Sequence, residues 1–273
     1  MMLTGEPKIN RYYSRFAYGL DGATHPVAVT WPNLSTTLVA LQLGQSMNAQ
    51  YSNFSYPIRH PDHLYQYLAG DGTLRWMREP CFGQGSPPLV GSWFSQFADR
   101  IIDAGHYTDV IQCLIGIGGT LANQWGPSGE FNSVLIAACL RMKDAGLIPT
   151  YIGCGQGVTE CFLDMDGFTF WLPNWKDNVD ISRSIFGIEV PWFFERQTLW
   201  CHPDYTIIYP YGKTSASIRT AQLAITTQMS KVFQGPDTDA FTLEYRWDKQ
   251  HWAQSGCALA SAAWADVINA HTF

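Results

Sequence analysis

The 273-residue sequence predicts an α/β protein: a three-layer α/β/α sandwich around a central parallel sheet. Two observations carry that prediction. Short apolar runs that read as buried strands alternate with longer segments of helical period. Several of those runs end in glycine-rich turns, as strands of an open parallel sheet do where a ligand crevice forms.

Each element follows from its local pattern. Residues 37–43 (TLVALQL) and 110–115 (VIQCLI) are near-continuous apolar runs, expected where both faces of a parallel strand are covered. Residues 148–152 and the proline-bounded 205–209 (YTIIY) supply a third and fourth strand, within a total of four or five. Helical patterns occupy 93–104, 131–143, 215–233 and 256–270, the last with Leu259, Ala263, Trp264 and Val267 on one stripe. Segments 52–91 and 168–191 are rich in Pro, Gly and aromatics and read as long loops over the sheet. No repeat, charge run or low-complexity stretch divides the chain, so one domain with its core at about 37–270 is expected.

Composition narrows the function classes. Hydrophobic residues make up 46% and charged residues 15%, a globular balance. The net charge of -6, without any Lys/Arg cluster, argues against a nucleic-acid surface. No apolar stretch approaches a membrane span. Met1 to Tyr13 carries polar and charged residues where a signal peptide would be apolar, so export by that route is not expected. The seven cysteines are scattered, odd in number and set in apolar runs, the pattern of reduced, buried thiols in a reducing compartment. Nothing in the sequence sets an oligomeric state.

Three of the strand ends point to a site: Gly44-Gln45-Ser46, Gly118-Gly119-Thr120 and Gly155-Gln156-Gly157. A serine hydroxyl needs a histidine to take its proton and a carboxylate to orient that histidine. Ser46 follows a strand and a glycine, while Asp248 and His251 lie three apart before the final helix. Read alone, Ser46 suits a helix N-cap better, and Asp248 with His251 suits a helix-start signal. The joint pattern points to a nucleophile and its base.

Other signals are weaker. His60-Pro61-Asp62-His63 contains metal-ligand types but lacks further ligands, so no metal is expected. The glycines at 116–119 and 153–157 do not match a dinucleotide fingerprint, and Gly212-Lys213-Thr214 has Ile207 where a phosphate loop needs glycine. Cys154, near Gln156, reads as a buried thiol.

The blocks taken in order resemble one family, the sialate O-acetylesterase and acetylxylan esterase-like branch (carbohydrate esterase family six) of the SGNH hydrolases. They are Gly44-Gln45-Ser46-Met47-Asn48, Gly91 to Ala98, Gly118 to Trp125, Gln156 to Glu160, Ile218 to Gln222, Gly235 to Asp239, and Asp248-x-x-His251-Trp252 with Gly256. The resemblance runs from about residue 38 to 268. It implies the flavodoxin-like SGNH fold, a Ser46–His251–Asp248 triad, and an oxyanion hole made by the amides of Ser46 and Gly119 with the Gln156 side chain. It also implies substrate contacts from Gln45, Asn48, Thr120, Glu160 and Arg219, an ester of a small molecule or polysaccharide as substrate, and no metal or cofactor. Met47 displaces Asn48 by one place from the family pattern, and Val158 stands where the family has Glu. A non-catalytic carbohydrate-binding domain and a lipase- or thioesterase-like hydrolase are the alternatives.

Overall fold

The computed structural model describes residues 27, 30–82, 91–201, 211–271 and 273. In chain order the main elements are β1 (Thr37–Gly44), β2 (Leu64–Leu68), β3 (Thr73–Trp76), α1 (Phe94–Asp103), β4 (Asp109–Leu114), α2 (Ala122–Trp125), α3 (Asn132–Asp144), β5 (Tyr151–Gly155), α4 (Val158–Phe162), α5 (Leu172–Phe186), β6 (Trp192–Arg196), α6 (Ala216–Gln228), β7 (Val232–Asp237) and α7 (Gln254–Asn269). The seven strands form one sheet in the order β3-β2-β4-β1-β5-β6-β7. Every pairing is parallel except the β2–β3 edge hairpin.

The sheet is covered on both faces, which is why β1 is buried along its whole length. Val39, Leu41 and Leu43 point into one core, with residues of α3, α5 and α6. Leu38 and Ala40 point into the other, with α1 and α7. This alternation builds the expected three layers. Six tryptophans and Phe194 are among the fully buried side chains, so most of the aromatic content fills the two cores. All seven cysteines are buried and free.

Several expectations shift. Among the described residues the sheet has seven strands rather than four or five. The strand expected at 148–152 is Tyr151–Gly155, because Pro149 precedes it and pairing with β1 begins at Tyr151. The helix expected over 215–233 stops at Gln228; Lys231 takes a positive φ of 46° and the chain turns into β7. Segment 52–91 contains the β2–β3 hairpin, whose turn uses Gly72 at φ +75°. Segment 168–191 contains α5, with a proline in its first turn and Gly187 in the left-handed conformation at its end. The strand expected at 205–209 lies outside the described residues.

Candidate active site

The register of the central strands brings the site together. Gly44 pairs with Gly155 at the carboxyl ends of β1 and β5, and the Gln45 amide donates to the Gly155 carbonyl at 3.1 Å. Gly44 sits at φ +130°, and a Cβ there would lie 2.1 Å from the Gly155 oxygen, so no other residue allows this approach. The chain then turns through Ser46–Asn48 as a single 3-10 turn, which leaves Ser46 half-buried between buried neighbours. The residue in the cap position is Gln45, with no side-chain cap bond. The Ser46 hydroxyl is therefore not spent on a helix end.

It meets His251 instead, with Oγ 2.9 Å from Nε2. On the other ring edge Nδ1 lies 2.6 Å from Asp248 Oδ2. The backbone amides of Gln250 and His251 donate to Asp248 Oδ1 at 2.9 and 2.6 Å, so the carboxylate fixes its own loop. Burial pushes the Asp248 carboxyl up, but the hydrogen bonds and charge of His251 outweigh it and hold it below the usual carboxylate range. An ionised Asp248 can only accept, so Nδ1 donates to it and Nε2 is left to accept from Ser46.

Three residues brace this pair without having been signalled by the sequence. Arg246 is 3% exposed; it donates to the Gln250 carbonyl at 2.7 Å and sits 4.3 Å over the Trp252 ring. Burial lowers its pKa to about 10. Tyr51 stacks on the His251 ring, centroids 5.0 Å apart at 27°. Its hydroxyl reaches Gly118, where a Cβ would meet that oxygen at 2.6 Å. Trp247 donates its indole N–H to the Tyr51 carbonyl at 3.1 Å. Tyr51 is joined to His251 only by tertiary packing, which leaves no periodic trace in the chain, whereas Arg246 binds within its own loop.

Gly119, at φ +71°, is exposed, and a Cβ there would meet nothing within 4 Å. Among the described residues, neither its amide nor that of Ser46 has a protein acceptor. Both are free to donate to a bound group.

The remaining predicted site residues form a buried polar layer beneath the serine. Gln156, 0% exposed, directs its Nε2 hydrogens to the Thr120 carbonyl at 2.6 Å and to Glu160 at 2.8 Å. Glu160 also accepts from the Ala122 amide at 2.7 Å. Gln45 Oε1 accepts from the Thr159 amide and hydroxyl at 3.2 and 3.0 Å. Thr120 Oγ1 donates to Ile117 O at 2.9 Å and accepts from the Trp125 indole at 3.0 Å. Asn48 donates to Glu195 Oε2 at 3.2 Å. Glu195, on β6, also accepts from Gln197 and Thr238; a lone acid in the apolar run WFFER was the signal available for it. Burial raises Glu160 and Glu195 each to about 7.

Arg219 lies in a separate cluster. From α6 it makes a two-pronged contact with Asp237, at 3.0 and 2.7 Å, and reaches Asp239 at 2.6 Å. Asp239 in turn accepts from the amides of Thr198 and Leu199, which ties α6 to the end of β6. His60 and His63 pair with Asp103 and Asp109, at 3.0 and 3.2 Å. Among the described residues no group of three His, Cys, Asp or Glu side chains is placed to hold a metal. Lys213 faces Asp164 at 2.5 Å, and Ile207 lies outside the described residues. Burial pushes the Cys154 thiol well above its usual value, which keeps it protonated.

No protein-family model matches the sequence, and no curated protein matches it either. Solved structures do match in shape. A protein from Arabidopsis thaliana superposes with a TM-score of 0.61 at 13% identity, over 86% of this chain and 98% of that one. A carbohydrate acetylesterase from Sinorhizobium meliloti superposes at 0.54 and 12% identity, over 85% and 99%. A carbohydrate esterase family 3 protein from Talaromyces cellulolyticus superposes at 0.51 and 11% identity, over 85% and 97%. With its mostly parallel sheet between two helical layers, the chain has the fold of the SGNH hydrolases.

Proposed function

We propose that this chain is a serine esterase that removes O-acetyl groups from a carbohydrate through an acyl-enzyme. The observation that carries the reading is the hydrogen-bonded line from Ser46 Oγ through His251 to the Asp248 carboxylate, at 2.9 and 2.6 Å. Ser46 attacks the ester carbonyl as its proton passes to His251 Nε2. The ester C–O bond then breaks, and the leaving alcohol takes that proton. Water repeats the attack on the acyl-serine, releasing acetate and restoring Ser46. Asp248 stabilises the imidazolium formed in each half.

The amides of Ser46 and Gly119 are the oxyanion donors in this reading; one such donor is worth about 10²–10³ in rate. Gln156 joins them if its amide exchanges the Thr120 carbonyl for the oxyanion. Gln45, Asn48, Thr120 and Glu160 then act from below, holding the Ser46 turn and Gln156 rather than touching substrate. Arg219 acts through the β6 end that it ties down. A short acyl group is supported by the recess beside Ser46 and His251. It is tight, crowded by Met47, Tyr51, Trp93 and Trp252, and leaves no open cavity for a long chain. That solved carbohydrate acetylesterases share the fold supports a sugar as the alcohol.

The test is release of acetate from p-nitrophenyl acetate and from acetylated sugars by the native chain, Ser46→Ala and His251→Ala. Each substitution is expected to cost about 10³-fold or more in kcat, and rates should fall from acetate to octanoate esters. Equal rates in all three proteins would sink the triad. Glycan affinity without turnover that survives Ser46→Ala would make the chain a binding domain, and a preference for octanoate would make it lipase-like.

A further inference from the structure

Trp247 is a large aromatic side chain left 42% exposed, and it sits next to Asp248 in the loop that also carries His251. Its backbone is fixed, because its amide donates to the His251 carbonyl at 2.9 Å. Its ring is also fixed by the indole N–H bonded to the Tyr51 carbonyl at 3.1 Å. Tyr51 is the residue stacked on the imidazole. The Trp247 indole is therefore anchored on the backbone of the residue whose ring stacks on His251, and its remaining surface faces solvent beside the catalytic loop. An exposed indole normally keeps its N–H for water or a ligand; here the N–H is satisfied within the protein, and the ring offers an apolar face of set orientation.

We propose that the exposed face of Trp247 is the binding platform for the leaving alcohol, and that this alcohol is a neutral pyranose ring. This rests on the esterase reading of Ser46 and His251. His251 Nε2 must protonate the departing oxygen, so the leaving group departs past His251, and Trp247 stands in the same loop with its amide bonded to the His251 carbonyl. A pyranose presents a face of C–H groups and a rim of hydroxyls. The face suits an indole whose polar atom is already paired, and the rim stays in water. The chain's net charge of -6 favours a neutral sugar over an acidic one.

The experiment compares kcat/KM for ethyl acetate, whose leaving group has no ring, with values for the acetylated methyl pyranosides of glucose, galactose, mannose and xylose. The native chain, Trp247→Leu and Trp247→Phe are each assayed. In the native chain at least one pyranoside should exceed ethyl acetate. Trp247→Leu keeps apolar bulk but no ring, and should lower that preference about tenfold, the scale of one aromatic face contact. Trp247→Phe keeps a ring without the N–H and should restore the preference to within about threefold. The proposal is overturned if no pyranoside is preferred or if Leu leaves the ratio unchanged. It is also overturned if Phe falls as far as Leu, since the N–H bond to Tyr51 would then be the whole contribution. A native chain that cleaves neither ethyl acetate nor any sugar acetate instead defeats the esterase reading, and this proposal with it.

Discussion

The 246–252 loop and the polar layer beneath Ser46 both place carboxyl groups near the same serine, and they hold them in opposite states. Asp248 is about a quarter exposed, accepts three hydrogen bonds from its own loop and stays ionised. Glu160 and Glu195 are 0% and 2% exposed, and burial raises both to about 7. The contrast separates two tasks. In the proposed esterase, a charge that stabilises a transient imidazolium stays ionised at the edge of solvent, whereas carboxyls that only accept fixed donors can be buried and lose part of their charge.

The largest effect is expected where the charged half is broken without disturbing its shape. In Asp248→Asn the amide oxygen still accepts from the Gln250 and His251 backbones, but the NH2 faces Nδ1 and forces the imidazole into the tautomer whose Nε2 carries the proton. That ring cannot accept from Ser46. A loss of about 10⁴ in kcat is expected, with the melting temperature little changed. A loss under about tenfold would show that the carboxylate is not the orienting group.

The charged half was also the more legible in sequence, for a physical reason. β1 reads as a strand because a strand buried on both faces is a continuous apolar run, and Ser46 follows it directly. Asp248 and His251 are three residues apart and so meet locally. The neutral half was only partly visible: Gln156 stood out at a strand end and Glu160 only through the family resemblance, while Glu195 was hidden because β6, just beyond the segment 168–191 read as loop, was not assigned. β7 was absorbed into α6 because Val232 and Phe233 continue the helical apolar period, and only the left-handed Lys231 breaks it. Tyr51 braces His251 from about two hundred residues away in the chain, which no local pattern encodes.

The buried half should be the less forgiving of added volume. At Gly155 a Cβ would fall 1.7 Å from Asn48 Nδ2 and 2.5 Å from Glu195 Oε2. Asn48 has little room to retreat, because its own carbonyl abuts Gly116, where a Cβ would lie 2.0 Å away. Gly155→Ala should therefore cost about 4 kcal/mol or more in urea unfolding, or fail to fold. Lys249, exposed and at φ +69°, makes the matching test on the loop. Lys249→Gly should change stability by under about 1 kcal/mol. Comparable losses at the two positions would erase the distinction.

A pH dependence of stability belongs to the buried carboxyls alone. Glu160 and Glu195, with Glu79, whose carboxyl accepts from the Ser95 hydroxyl, are each raised from 4.5 to about 7 by burial. Between those values the folded state keeps protons that the unfolded state has released, so stability falls as pH rises from about 4.5 to 7 and levels off above it. Asp248 and Asp237, held below the usual range, are ionised in both states across that window and add no slope there. Each buried glutamate should contribute on the order of 2–3 kcal/mol to the decline. Urea midpoints at pH 5 and pH 7.5 measure it. Glu195→Gln and Glu160→Gln should each remove about a third of the decline, because an amide does not titrate, while its oxygen can still accept the donors of one carboxyl oxygen, Gln197 and Thr238 at Glu195 or Ala122 and Gln156 at Glu160. If stability instead rose over that interval, the two carboxyls would be ionised in the fold, and the polar layer would be a second charged half rather than a neutral one.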